Sequence, residues 1–167
     1  VENGRFLFAG TNEEAKALAA DNDRLIDLGG RFVCSGFNDS HMHLLNYGNA
    51  LHSALLSEHT GSLKDLKDCF RSFMKEHPPK GNAWVIGRGW NQDYFSDVDR
   101  MPNRYDLDEI SKDVPICATR ACGHCMVVNS KALEAAGITK NTPQPEGGRI
   151  GIENGELDGR LFDNAMS

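Results

Sequence analysis

The sequence predicts a mixed α+β chain, and three observations carry that reading. Short apolar runs that alternate with polar residues and are bounded by glycine fill most of the first 37 positions. One long amphipathic helical pattern follows from Ser62, and apolar strands then interleave with short helices up to an Asn154-Gly155 turn. Period-two alternation marks strands, and recurrence at three and four residues marks helices.

The elements follow in chain order. GRFLFAG (4–10) alternates between two glycines and reads as a strand, as do RLIDLGG (24–30) and RFVCSGF (31–37). Between them, Thr11 or Asn12 can cap a helical turn built on Glu13, Glu14, Ala15 and Ala17. Ser62 opens the amphipathic helix with Asp65 at the third position; Leu63, Leu66, Phe70, Phe73 and Met74 form its apolar stripe, and Pro78 stops it. AWVIGRGW (83–90) reads as a strand, NRYDLDEISKD (103–113) as a short helix and VPICATRA (114–121) as another strand. NSKALEAAGI (129–138) is a helix opened by Asn129 or Ser130 and closed by Gly137. Asn154-Gly155 between two alternating runs is a hairpin signal.

Composition narrows the function. With 167 residues, 40% hydrophobic and 25% charged, the chain has the apolar content for a packed core. A formal net charge of −6 argues against nucleic-acid or anionic-membrane partners, which call for a basic face. No run of eighteen apolar residues occurs, and VENGRFLFAGTNEEA lacks the basic and apolar segments of a signal peptide, so neither secretion nor a membrane span is expected. Cys34, Cys69, Cys117, Cys122 and Cys125 show no framework spacing, which reads as reduced thiols in a cytoplasmic protein.

The chemistry concentrates in FVCSGFNDSHMHLL (32–45). If the strand runs on to its end, His41 and His43 point to one face and Met42 to the other. Two neutral imidazoles held side by side are half a site for zinc, nickel, copper or iron. Asp39 falls on the same face, where it can bind the ion or orient a histidine. Trp90, Asn91 and Tyr94, in a loop after a strand, are candidates for a ligand pocket. Cys122-Gly123-His124-Cys125 has the spacing of a thioredoxin-like redox pair, yet the residues after it read as strand and the next helix cap is Asn129 or Ser130, too late for a helix dipole to favour a thiolate. His52, His59 and His77 have no partners within their segments.

These blocks, taken in order, carry a family resemblance. A strand, Asp-Leu-Gly-Gly, a second strand and GFNDSHMHL resemble the opening of the amidohydrolase superfamily. GRGWNQDYF, PNRYDLDEISKDVPICATRACGHCMVVNSKALEAAGI and GGRIGIENGELDGRLFDNA resemble its long-insert branch, to which N-substituted formamide deformylase belongs. The resemblance implies that His41 and His43 are two metal ligands at the end of the first strand of a metal-dependent TIM-like barrel. It implies one or two divalent ions, zinc first among them, and hydrolysis of a non-peptide C–N bond in a small-molecule amide by metal-activated water. His124 would face the substrate channel. A bridging carboxylated lysine or its substitute, two further histidines and a catalytic aspartate come from later strands, so no catalytic residue is expected within this chain. Ser35 stands where many members have proline, a departure that leaves the ligands untouched.

A barrel of eight strands and eight helices needs about 250 residues. The expectation is therefore an N-terminal piece: partial β-sandwich strands over 1–35, the first barrel strand and following segment over 36–59, and an inserted α/β subdomain over 60–167. Such a piece alone would be inactive and bind zinc weakly, and its unpaired edges favour pairing with another copy as a homo-oligomer. The competing reading is a non-catalytic α/β binding module or a redox module built on the Cys122–Cys125 motif.

Overall fold

The computed structural model describes residues 1–167 and divides them into two compact units, Val1–His41 and Met42–Ser167.

In the first unit the expected helical turn forms as α1 (Asn12–Leu18). Its capping box is complete: the Glu14 amide donates to the Thr11 hydroxyl at 3.3 Å, and the Thr11 amide donates to the Glu14 carboxylate at 2.9 Å. The three strands expected at 4–10, 24–30 and 31–37 do not form. The unit holds one isolated bridge, Glu2 to Arg5, and its aromatic residues face solvent, with Phe32 88% and Phe37 93% exposed. The reason is that an alternating run becomes a strand only when a neighbour takes its hydrogen bonds and an opposing layer takes its apolar face. Turns dominate instead: the Gly29 amide donates to Asp27 at 2.8 Å, and Gly29 and Gly30 both have positive φ. No strand runs into His41 either.

The second unit opens with α2 (Leu44–Ala50), followed by β1 (Ala54–Leu55), a 3-10 turn at Leu56–Glu58 and α3 (Leu63–Glu76). Then come β2 (Val85–Trp90), a 3-10 turn at Gln92–Tyr94, α4 (Arg104–Asp108), β3 (Ile116–Arg120), β4 (Cys125–Val128), α5 (Ser130–Ala135), β5 (Gly148–Glu153) and β6 (Glu156–Asp163). The strands make one sheet in the order β1-β2-β3-β4-β6-β5. The first three run parallel, and each later pairing is antiparallel.

Both faces of the sheet carry a core. On one, α3 lays Leu66 and Phe70 over Val85, Trp90, Ile116, Ala118 and Val127, with Leu56 and Leu107 closing the cluster. Gly87 makes this close approach possible, since a Cβ there would stand 2.6 Å from the Phe70 ring. On the other, α5 brings Ala132 and Leu133 onto Cys117, Val128, Ile150, Leu157 and Leu161. Cys117 and Ala118 thus serve opposite cores, as strand alternation requires. Asn129, fully buried, caps α5 and ties it to the loop before β3: it accepts from the Ile116 and Ala132 amides at 3.0 and 2.9 Å and donates to the Ser111 and Val114 carbonyls at 2.9 and 2.8 Å. The Asn154-Gly155 pair joins β5 to β6 with φ of 53° and 80°, the backbone of a two-residue hairpin turn.

Candidate functional site

His41 lies in a bend, and the Asp39 carboxylate accepts from the His41 backbone amide at 3.0 Å. That contact is an Asx turn, so Asp39 organises the local backbone. His43 is the N-cap of α2, with φ −93° and ψ 67°. Neither histidine is on a strand, so the alternation that would set them on one face does not apply in this structure; what survives is their spacing and their exposure. No three His, Cys, Asp or Glu side chains gather into a set able to hold a metal ion. The donor chemistry of two imidazoles suits a divalent ion, while a catalytic zinc calls for three protein ligands and a water. Two imidazoles alone fall short of that number.

Of the expected pocket residues, Trp90 is corrected to core. It is fully buried, and its indole N–H donates to the Ala118 carbonyl at 2.9 Å. Asn91 caps the 3-10 turn after β2 and accepts from the Arg120 guanidinium at 2.8 Å. Arg120 also reaches Gln92 at 2.9 Å and Asp93 at 3.2 Å, so it fastens this loop to the end of β3. His124 is exposed, and its Nδ1 pairs with the Asp163 carboxylate at 3.1 Å.

The Cys122–Cys125 motif lacks a helix, since Cys125 begins β4 and α5 starts only at Ser130. The exposed Cys122 thiol is held below its ordinary range by the His124 backbone amide and by the Arg120 guanidinium. Burial pushes the Cys125 thiol the other way, up to about 11, and the neighbouring Cys122 adds to the effect. What the motif lacks is the helix N-terminus whose dipole favours the attacking thiolate in redox pairs of this spacing.

One feature escaped the sequence reading. Within the second unit, α2, β2 and β3 border a half-open cavity of about 480 Å³ lined by Asn46, Asn49, His52, Trp84, Arg88 and Thr119 among others. The available signal was a single arginine set between Gly87 and Gly89 in an otherwise apolar strand.

Residues 24–167 match the sequence profile of the Amidohydrolase family. The chain belongs to that family. Among relatives of this amidohydrolase-family chain, YtcJ of Bacillus subtilis (strain 168), whose name places it with the amidohydrolases, is 39% identical across 99% of the chain and 31% of its own length. The N-substituted formamide deformylase of Arthrobacter pascens is 31% identical across all of the chain and 31% of its own length. A solved structure described as an uncharacterized metal-dependent hydrolase from Pyrococcus furiosus aligns with 99% of the chain and 31% of its own, at 29% identity and a TM-score of 0.52. The mixed α+β architecture therefore resembles that of a metal-dependent hydrolase. The chain spans about a third of the length of the curated relatives it matches.

Proposed function

We propose that these residues are part of a metal-dependent amidohydrolase that cleaves a non-peptide C–N bond, amide or formamide-like, and that His41 and His43 are two of its metal ligands. The observation that carries the reading is His41-Met42-His43 directly behind GFNDS in a chain whose residues 24–167 match the Amidohydrolase family. Support for the bond comes from the A. pascens relative, named for removing a formyl group from nitrogen, and support for the metal comes from the P. furiosus neighbour. When bound, a divalent ion, zinc by preference for this donor set, supplies an acidified water and polarises the carbonyl under attack. His41 and His43 contribute neutral nitrogen donors, and Asp39 holds the bend in which His41 sits. The donors that complete the coordination belong to chain outside these 167 residues, with a carboxylate there to take the proton. A reducing cytoplasm fits the five free cysteines.

The test is chelation of the longer protein. Stripping its metal is expected to abolish hydrolysis of an N-substituted formamide, zinc to restore it, and the 167-residue chain alone to show no turnover. Hydrolysis by a preparation that elemental analysis finds free of metal would refute the reading.

A further inference from the structure

We propose that the cavity beside α2 is a carboxylate-binding site in which Arg88 grips the ligand. Gly87 turns to Phe70 on the α3 side of the sheet, so alternation sends Arg88 to the other face, opposite Thr119 on β3. Asn46 and Asn49 lie three residues apart on α2, hence on one helix face, and both line the cavity with Arg88, His52 and Thr119. Trp84 and Ile86, both about half exposed, form its apolar wall.

Charge is what singles out Arg88. Arg71, Arg100, Arg120 and Arg160 each close an ion pair with a carboxylate of the same unit. Arg104 and Arg149 lie instead over the rings of Tyr105 and Phe162; Arg88 has neither kind of contact, and neither aspartate nor glutamate lines the cavity. In a chain of net charge −6, a guanidinium in a concave site with amide donors and no acid beside it is a place prepared for an anion.

The fork of one guanidinium matches the two oxygens of a carboxylate. A phosphate dianion calls for more positive charge, and no lysine or second arginine lines this space. The apolar wall and the Asn46 and Asn49 amides would take the body of a small organic acid. If the hydrolase reading also holds, the cavity adds an acid group to the description of its substrate; binding itself depends on neither metal nor turnover.

The chain has two tryptophans, of which Trp90 is sealed in the core and Trp84 lines the cavity. Tryptophan fluorescence during titration with N-acetylglycine, its neutral counterpart N-acetylglycinamide and inorganic phosphate therefore tests the proposal. N-acetylglycine is expected to give a saturable change that is lost in Trp84→Phe. The neutral amide, and the acid with Arg88→Met, should bind about tenfold more weakly or worse, the size of one charged hydrogen bond, while Arg88→Lys retains part of the affinity. Circular dichroism checks the fold of each variant. Equal binding of the acid and its amide, an unchanged affinity in Arg88→Met, tighter binding of phosphate, survival of the signal in Trp84→Phe or the lack of any saturable change would each overturn it.

Discussion

Alanine at His41 or at His43 in the longer protein is expected to remove bound metal and hydrolysis together. Loss of a partner that merely orients a ligand costs roughly 10–100-fold in metal affinity, so loss of a nitrogen donor itself should exceed about 100-fold and leave the ion poorly held. His124→Ala is the matched control. Its imidazole is exposed and paired with Asp163, and its replacement should leave metal content intact while altering substrate affinity. Elemental analysis of the three purified variants, alongside kcat and KM, decides the matter. Full metal occupancy in His41→Ala or His43→Ala would remove that residue from the ligand set, and loss of metal in His124→Ala would bring His124 into it.

Asn129→Ala is expected to produce the largest loss of stability in the second unit. The Asn129 side chain satisfies two buried amides and the part-buried carbonyls of Ser111 and Val114. Leaving four such groups without partners, at about 1 kcal/mol each, removes roughly 4 kcal/mol. Whole domains are stable by only about 5–15 kcal/mol, so the variant should unfold at markedly lower denaturant. Asn129→Asp should fare no better, because it keeps the acceptors, loses both donors and buries a charge. A midpoint within experimental scatter of the parent would show that the cap is dispensable.

What could be read from the sequence was what local chemistry decides. The Ser62 cap, the stripe through Leu66 and Phe70 and the stop before Pro78 are contained within one segment, and α3 runs from Leu63 to Glu76 with the Asp65 amide donating to Ser62 at 2.9 Å. Asn129 as the cap of α5 and the Asn154-Gly155 hairpin are of the same kind. The runs at 4–10, 24–30 and 31–37 alternate as clearly as β2 does, yet a strand exists only where a second segment receives it, and that information is not inside the run. The two-histidine spacing was legible, whereas the bend that carries it was not. LLNYGNA has no capping side chain before it and a glycine within it, so α2 gave no local signal. Trp90 misled because an aromatic at a strand end looks the same whether the sheet covers it or exposes it. Glycines on both sides of Arg88 erase the alternation that would show which way it faces.

The mixed sheet also implies an order in time. Glu153 pairs with Glu156 across a two-residue turn, whereas Ala54 must find Gly87, and Val85 must find Ile116, across long stretches of intervening chain. Loop-closure entropy makes the short connection the early one and the long ones late. The hairpin of β5 and β6 is thus the natural seed, β4 and β3 extend it, and the two-residue β1 arrives last. The same gradient governs opening in the folded state, where the least anchored segment is the first to release its amides. Backbone amides of Ala54 and Leu55 should exchange with solvent long before those of Val127 and Leu161, and protection as strong at β1 as at β6 would contradict this order. The cavity beside Arg88 is built at the late-closing end of the sheet, so whatever occupies it would also slow that exchange, reporting its presence as added protection in the strand next door.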